Sequence, residues 1–278
     1  MNYSRIKSYA KVNLALNITG KTSGLHKIES VVGFVSLHDV ILIKKIQSKK
    51  NIISFNGKYS KKISKKNTIS KLLKVLEKES LLKGYKFEIK VKKNIPLKSG
   101  LGGGSMNAAN ILKYFYKKKL INLKKLKKYS LKIGSDVILG LNSKPKILYR
   151  DGSIKEVTDI KKYHILIVKP AFGCSTKKIY SSNKTFSKSE FNISKEKIVK
   201  NVILNGKNDL EKSAFNLYPA LKKIKNLLNQ NEKAKFVRMT GSGSAIIMYF
   251  NSNKFAKNAL KIYKRKLNNC LCIITKII

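Results

Sequence analysis

The amino-acid sequence predicts a two-domain protein of the α+β class. The chain of 278 residues exceeds the usual size of one domain but is short for three. Apolar residues make up 42% of it, which allows both domains to bury a core. Strand patterns dominate the first third of the chain, whereas strand and helix patterns are mixed in the remainder.

The N-terminal third is predicted to be rich in strands. Residues 10–18 alternate between apolar and mostly polar side chains, which predicts a strand with one polar face that carries Lys11 and Asn13. Further strands are predicted over residues 28–35 and 40–46. The first domain therefore begins with a sheet.

The central part of the chain alternates helix and strand patterns. A helical pattern follows Asn67, a residue type that caps helix N-termini. Residues 85–92 alternate strictly and predict a strand that leads through Pro96 into a run of glycines. Residues 106–116 then predict a helix, and a second, lysine-rich helix ends near Gly134.

A second domain is predicted to begin after a hairpin around the Asp151-Gly152 dipeptide, which favours a tight turn. The predicted domains are residues 1–157 and 158–278. The later predicted elements are a strand over residues 163–169, helices over 194–204, 210–217 and 221–228, strands over 236–239 and 245–250, a helix from Asn253, and a strand over 271–275.

The charge balance is strongly positive. Lys and Arg number 61 and Asp and Glu number 14, so the formal net charge is +47. Such a charge suits a protein that binds nucleic acid or an anionic membrane. The basic residues are nearly all lysines spread along the chain, however, whereas a binding surface should form a patch or stripe. Codon bias of an AT-rich genome explains this spread better, and neither a specific nucleic acid nor a membrane is expected as a partner.

The cysteines and the N-terminus are those expected of a soluble, cytoplasmic protein. Cys174, Cys270 and Cys272 show neither a Cys-x-x-Cys pair nor zinc-site spacing, so we expect free thiols and no metal site. The first 20 residues lack the apolar block of a secretory signal. No apolar run approaches the length that spans a bilayer.

The most informative segment is the glycine-rich stretch at residues 100–105, between a predicted strand and a predicted helix. Glycines let successive backbone N–H groups point into one concavity, and a helix N-terminus adds unpaired donors and the positive end of its dipole. This arrangement suits a phosphate chain. No lysine follows the last glycine, which excludes a P-loop, and Ser105 stands where a dinucleotide fingerprint needs its third glycine.

Residues 96–109 resemble the ATP-binding motif of the GHMP kinases, a family named for galactokinase, homoserine, mevalonate and phosphomevalonate kinases. Other motifs fall in the order expected of one member: Ala10-Lys11-Val12-Asn13-Leu14, Gly24-Leu25-His26, Gly134-Ser135-Asp136-Val137 and Thr240-Gly241-Ser242-Gly243-Ser244. The resemblance spans nearly the whole chain. It implies the GHMP kinase fold, with a nucleotide-binding N-terminal domain and a ferredoxin-like C-terminal domain.

The resemblance also implies an ATP-dependent kinase that phosphorylates a hydroxyl group of a small molecule. The first two motifs point to a member whose substrate is methylerythritol linked to cytidine diphosphate, in the synthesis of isoprenoid precursors. ATP and Mg²⁺ are the implied cofactors, and the metal needs few protein ligands. A monomer or weak homodimer is expected.

The same resemblance implies roles for individual residues. Asp136 would orient or deprotonate the attacking hydroxyl, and Lys11 beside it would favour the ionised carboxylate and stabilise the phosphoryl charge. The implied ATP contacts are Asn67, Pro96, Gly100, Leu101, Gly102, Gly103, Gly104 and Ser105. The implied substrate contacts are Asn13, His26, Thr176, Tyr180, Thr240, Gly241, Ser242 and Gly243.

Many of these residues also have a simpler interpretation. Asn67, Ser105 and Asp136 are residue types that cap helix N-termini. The simpler interpretation of Lys11 is a solvated strand residue, that of His26 is a surface residue, and that of Tyr180 is a core residue. Residues 240–244 would form a plain hairpin turn.

Two residues depart from the family pattern. Lys98 stands where glycine is usual, and Leu25 stands where a tyrosine usually stacks on cytosine. Three other functions remain compatible with the sequence: another GHMP kinase of the mevalonate or homoserine type, a GHMP-fold protein without activity, and a basic nucleic-acid-binding protein.

Overall fold

The computed structural model describes residues 2–22, 25–158, 160–191 and 203–278. Gly24 and most of the helix predicted over residues 194–204 lie outside the described residues. Among the helices that are described, none combines the length and the apolar character that crossing a membrane would need.

The chain divides into two compact units, each assembled from separate stretches of sequence. Unit 1 contains Met1–Lys11, Leu37–Leu97 and Gly102–Ser143, and unit 2 contains Val12–Ser36, Lys98–Leu101 and Lys144–Ile278. These units describe packing, and the predicted domain boundary between residues 157 and 158 stays a prediction.

The two N-terminal strands are long and pair with each other. They are β1 (Ser4–Thr22) and β2 (Leu25–Ile46), and each contributes residues to both units. The strands predicted over residues 28–35 and 40–46 are confirmed as strand, but their separation is wrong, since one continuous strand covers both. Asp39 lies in the interval between them, but it is fully buried and hydrogen-bonded, so no turn forms there.

Unit 1 combines a sheet with three α-helices. Its remaining elements are β3 (Ile52–Asn56), α1 (Thr68–Lys78), β4 (Lys86–Lys92), α2 (Gly103–Lys117), α3 (Leu123–Ile133) and a short 3₁₀ helix (Ile138–Leu141). Strand β4 pairs antiparallel with β2, from Val40 opposite Lys92 to Ile46 opposite Lys86, and parallel with β3. The buried faces of this sheet and of the helices share one apolar cluster, which includes Ile43, Leu72, Phe87, Ile111 and Leu126.

Unit 2 contains a hairpin, a four-stranded antiparallel sheet and four further helices among its described residues. Its elements are β5 (Lys146–Leu148), β6 (Ile154–Glu156), β7 (His164–Pro170), α4 (Thr176–Ser182), α5 (Leu210–Leu217), α6 (Pro219–Asn229), β8 (Phe236–Met239), β9 (Ile246–Phe250), α7 (Asn253–Lys266) and β10 (Cys270–Lys276). The strand order is β10-β7-β9-β8. Side chains such as Leu166, Leu221, Met248 and Ala256 form the apolar core between this sheet and its helices.

Most of the predicted elements are confirmed within a few residues, including the hairpin at residues 151–152. Helix α2 begins at Gly103, so the last glycines of the loop form its first turn rather than preceding it. The sequence patterns missed β3 and α4. Both are short, and β3 alternates between exposed and half-buried residues without a buried apolar face.

Candidate active site

A lysine and an aspartate from distant parts of the sequence form an ion pair in unit 1. Lys11 Nζ lies 3.4 Å from Asp136 Oδ2, and the lysine side chain is 4% exposed whereas that of Asp136 is 40% exposed. Lys11 is therefore not a solvated strand residue. Asp136 lies in a turn before the 3₁₀ helix, whose N-cap is Val137, so the interpretation of Asp136 as a helix cap is also wrong.

The glycine-rich loop approaches this lysine closely. Gly102 has the left-handed backbone angle φ of 68°, and a Cβ atom built on it would lie 2.8 Å from Lys11 Cγ. At Gly104 a Cβ would lie 3.1 Å from the hydroxyl of Thr68. Side chains at these positions would press against Lys11 and Thr68, so glycine permits this close approach of the loop.

The N-terminus of α2 offers hydrogen-bond donors to a ligand. Its N-cap is Gly102, which makes no side-chain capping hydrogen bond, and the first helical bond joins Met106 N to Gly102 O at 2.9 Å. The N–H groups of Gly103, Gly104 and Ser105 have no partner within the helix, as in every α-helix. Ser105 is inside the first turn, so it is not the N-cap. The glycine-rich loop and the uncapped N-terminus of α2 fit a triphosphate.

Two other predicted ATP contacts have clear structural roles. Asn67 caps α1, because its Oδ1 accepts hydrogen bonds from Ile69 N at 3.0 Å and Ser70 N at 3.1 Å. This confirms the interpretation of Asn67 as a helix cap, and its contact with a nucleotide stays a prediction. The side chains of Leu101 and Pro96 are buried in the protein, so a ligand contact would involve their backbone.

In unit 2 the predicted substrate residue Asn13 is held by two hydroxyl groups. It is 5% exposed, its N donates to Thr240 Oγ1 at 3.0 Å, and its Nδ2 donates to Ser30 Oγ at 2.8 Å. Ser30 in turn donates to the carbonyl of Ala15 at 2.6 Å. Because this hydroxyl proton is used, Ser30 accepts from Asn13, and the orientation of the Asn13 amide is fixed.

The loop at residues 240–244 joins β8 to β9, so it is a hairpin turn, but its residues are buried. The Thr240 hydroxyl lies 3.5 Å from the carbonyl of Gly100, and a Cβ on Gly100 would overlap Thr240 O. Asn208 donates to the carbonyls of Met239 and Gly241, each at 2.8 Å. The first residues of the glycine-rich loop therefore pack against an internally braced hairpin.

The predicted cytosine contacts His26 and Tyr180 meet in unit 2. Their ring centroids are 5.2 Å apart, and the planes are inclined by 53°. Partial burial, with a smaller effect of Lys21, lowers the pKa of His26, so its imidazole is neutral near pH 7. Leu25, which stands where a tyrosine is usual in the family, is 78% exposed.

The structure also brings together Thr176 and Ser242, whose hydroxyl oxygens are 2.8 Å apart. Thr176 is the first residue of α4, which carries Tyr180 one turn later. The hairpin loop is therefore linked to the helix that presents the predicted cytosine contact.

Free thiols and no metal cluster are found in the described part of the chain. The three cysteines are unpaired, and burial raises the pKa of Cys174 and of Cys272 to about 11, so these thiols stay protonated. No group of three or more His, Cys, Asp or Glu residues there could hold a metal ion.

Sequence reasoning missed several residues that support this site. They are Ser30, which orients Asn13, Asn208, which braces the hairpin, Arg238, which donates to the carbonyl of Leu14, and Asp39 with Lys93. A usable signal existed for Asp39. It is one of only 14 acidic residues, and it stands directly before the apolar run at residues 40–43.

Comparisons with known proteins agree with this architecture. The model of the GHMP kinases N terminal domain matches residues 67–145, and that of the GHMP kinases C terminal region matches residues 196–269. Among solved structures, a 4-(cytidine 5'-diphospho)-2C-methyl-D-erythritol kinase has a TM-score of 0.78 at 22% identity and covers 99% of both chains. A homoserine kinase from Cytophaga hutchinsonii has a TM-score of 0.68 at 16% identity and covers 100% of this chain and 95% of its own. The predicted GHMP kinase fold is confirmed.

Curated relatives narrow the family. The chain is 55% identical to the 4-diphosphocytidyl-2-C-methyl-D-erythritol kinase of Pelagibacter ubique over 100% of both chains. It is 32% identical to the kinase of the same name from Ehrlichia canis over 94% of both. These relatives favour a kinase over a nucleic-acid-binding protein. The chain belongs to the GHMP kinases, within the family of 4-diphosphocytidyl-2-C-methyl-D-erythritol kinases.

Proposed function

We propose that this kinase transfers the terminal phosphoryl group of ATP to the 2-hydroxyl of 4-diphosphocytidyl-2-C-methyl-D-erythritol, in isoprenoid precursor synthesis. The products are ADP and the 2-phosphate. The observation that carries this proposal is the Lys11–Asp136 ion pair next to Gly102, at the open N-terminus of α2. A carboxylate, an ammonium group and a phosphate-binding helix end are the parts that phosphoryl transfer to an alcohol requires.

The glycine-rich loop is the proposed phosphate site. The N–H groups of Gly103, Gly104 and Ser105 donate to phosphate oxygens, and the positive end of the α2 dipole attracts their charge. Mg²⁺ neutralises the phosphates when bound. We propose that it enters with ATP and is held mainly by phosphate oxygens, because the described residues offer no acidic cluster.

Asp136 is the proposed proton acceptor. Its partly exposed carboxylate takes the proton of the substrate hydroxyl while the oxygen bonds to the terminal phosphorus and the bond from phosphorus to ADP breaks. Lys11 keeps this carboxylate ionised before transfer and stabilises the charge that develops on the phosphoryl group.

The cytidine end of the substrate is assigned to residues of unit 2. The neutral His26 imidazole can donate one hydrogen bond and accept another at the cytosine edge, while Tyr180 offers a ring face to the base. Asn13, Thr176 and the hairpin loop with Thr240, Gly241, Ser242 and Gly243 are proposed to bind hydroxyl and diphosphate oxygens. The proposed domains remain an N-terminal ATP-binding domain of residues 1–157, which also contributes Asn13 and His26 to the substrate contacts, and a C-terminal substrate domain of residues 158–278, in a monomer or weak homodimer.

A substrate comparison tests the proposed function. Purified protein is incubated with ATP, Mg²⁺ and one acceptor at a time, namely the cytidyl substrate, mevalonate or homoserine, and ADP release is followed. We expect turnover with the cytidyl substrate alone, and ³¹P NMR should show one new phosphomonoester. Turnover of mevalonate or homoserine instead would move the assignment to another GHMP kinase. An absence of ADP release with all three would refute the proposal.

A further inference from the structure

A buried aspartate connects both flanks of the glycine-rich loop within unit 1. Asp39 is fully buried. Its Oδ1 accepts hydrogen bonds from Asn94 N at 2.8 Å and from Ile95 N at 2.9 Å, on the segment that leads into the loop. Its Oδ2 accepts from Asn107 Nδ2 at 2.9 Å, in the helix that follows the loop, and from Lys93 Nζ.

The lysine bound by Asp39 lies against the phosphate-binding end of α2. A Cβ atom at Gly103 would be 3.4 Å from Lys93 Nζ. The Lys93 side chain is 3% exposed, and its backbone N donates to Asn56 O at 2.7 Å. An ammonium group with its bound carboxylate is therefore fixed next to the first residue of α2.

This placement depends on a partner carboxylate. A buried ammonium group without a counter-charge is strongly unfavourable, and here the nearby helix end is also positive. Asp39 supplies the counter-charge. It accepts four hydrogen bonds, so it has little capacity left to accept a substrate proton.

We infer that Asp39 is a positioning residue for ATP. It fixes the segments on both sides of the loop at Asn94, Ile95 and Asn107, and it holds the Lys93 ammonium group against Gly103, the first residue of α2. This inference rests on the proposed function and deepens it, because it assigns ATP affinity to a residue that acts through others. Neither the Lys11–Asp136 pair nor the residues assigned to cytidine take part.

Three variants separate positioning from folding. Asp39→Asn keeps the shape and removes the charge. Asp39→Asn combined with Lys93→Met also removes the buried ammonium group that the first change leaves unpaired. Glu77→Gln is the matched control, because it removes another carboxylate of unit 1 that binds a lysine, Lys86, and an asparagine, Asn51. For each variant we measure the melting temperature, MgADP binding by calorimetry, and KM for ATP and for the cytidyl substrate.

We expect Asp39→Asn to weaken MgADP binding and raise KM for ATP by about tenfold to hundredfold, because misplaced phosphate donors are costly. KM for the cytidyl substrate should stay within about twofold, as it depends on other residues. The double variant should have a higher melting temperature than Asp39→Asn, but its ATP affinity should stay as weak. The control Glu77→Gln should at most lower the melting temperature, and MgADP binding and both KM values should stay as in the wild-type protein.

Other outcomes would overturn the inference. Recovery of normal ATP affinity in the double variant would show that Asp39 serves the fold alone, and so would an equal rise of both KM values in Asp39→Asn. If Asp39→Asn does not fold, the double variant carries the test. Failure of the wild-type protein to bind MgADP would refute the proposed function itself, whereas equal binding by wild type and Asp39→Asn would refute only this inference.

Discussion

Unit 1 contains two lysine–aspartate pairs that differ in burial and in the use of the carboxylate. Asp39 is inaccessible to solvent and accepts four hydrogen bonds, one of them from Lys93. Asp136 is 40% exposed, and its oxygen lies 3.4 Å from the nitrogen of Lys11. The same two residue types therefore serve different ends. A saturated carboxylate fixes the structure around it, whereas an accessible one keeps lone pairs for a substrate proton.

The two pairs also differ in what the loss of one partner leaves behind. Removing a partner from the buried pair leaves a charge without solvent or counter-charge, which is strongly destabilising. Removing Lys11 from the other pair leaves a carboxylate that is 40% exposed and that water can solvate, whereas removing the charge of Asp136 leaves an ammonium group that is only 4% exposed. Activity should therefore depend mainly on the Lys11–Asp136 pair, and the loss of a lysine should destabilise the protein more at the buried pair.

The largest expected effect comes from Asp136→Asn. The amide cannot accept the substrate proton as a carboxylate does, so kcat should fall by about 10² to 10⁴-fold. The melting temperature should also fall by several degrees, because the Lys11 ammonium group is only 4% exposed and loses its charged partner. Steady-state kinetics and thermal unfolding measure the two effects. A near-normal kcat would exclude Asp136 as the base, and the fold assignment would not be affected.

The second largest effect is expected on stability, when Lys93 and Lys11 are each replaced by methionine. Lys93→Met leaves Asp39 buried without its counter-charge, and the free energy of unfolding should fall by about 3 to 5 kcal/mol. Lys11→Met leaves a partly solvated Asp136, and the corresponding loss should be about 0 to 1 kcal/mol, although kcat should drop. Urea unfolding of both variants measures the difference. Equal losses of stability would contradict the contrast between the pairs.

Local patterns in the sequence predicted much of the fold. Period-two alternation identified β1 and β4, an asparagine cap marked the start of α1, and an Asp-Gly turn marked the β5–β6 hairpin. Such signals work because they depend on neighbours in the chain. The prediction of two strands in place of β2 was wrong for the same reason. The burial of Asp39 depends on residues more than fifty positions away.

The candidate site was predictable where it carried a motif. Glycines that no side chain could replace, such as Gly100 and Gly102, stand out in a sequence because of their density. Residues that orient other side chains do not stand out in the sequence. Ser30, Asn208 and Lys93 belong to common types, and their roles arise from contacts that only the folded chain creates. The site assignments taken from the family resemblance stay predictions.

A smaller effect is expected at Lys98, where the backbone takes part in the structure and the side chain is exposed. Lys98 has a left-handed φ of 49°, and its carbonyl accepts a hydrogen bond from Ser244 N at 3.3 Å. This angle explains the glycine that is usual in the family. Lys98→Gly relieves a strain of roughly 1 to 2 kcal/mol. Glycine in turn loses roughly 0.5 to 1 kcal/mol of chain entropy, so stability should rise by up to about 1.5 kcal/mol.

Lys98→Ala is the matched control, because it removes the charged side chain and keeps the Cβ atom that causes the strain. Urea unfolding should place it near the wild-type protein. If alanine stabilised the protein as much as glycine, the strain would not be the cause.

The smallest effect is expected from the titration of His26, a group that is partly exposed like Asp136. Burial lowers the pKa of His26 below its usual 6.5. The folded protein therefore disfavours the charged imidazole, so the contribution to stability is complete above pH 6.5 and is lost as the pH falls through the lowered pKa. Protonation also removes the ring nitrogen that accepts a hydrogen bond from cytosine.

KM for the cytidyl substrate should accordingly rise several-fold as the pH falls below 6.5, with KM for ATP unchanged. Kinetics over about pH 5 to 8 measure the rise, and an NMR titration of the His26 ring should give the same midpoint. His26→Gln, which stays neutral throughout, should show no such rise. An identical pH profile in this variant would assign the titration to another group and remove His26 from the proposed cytosine contacts.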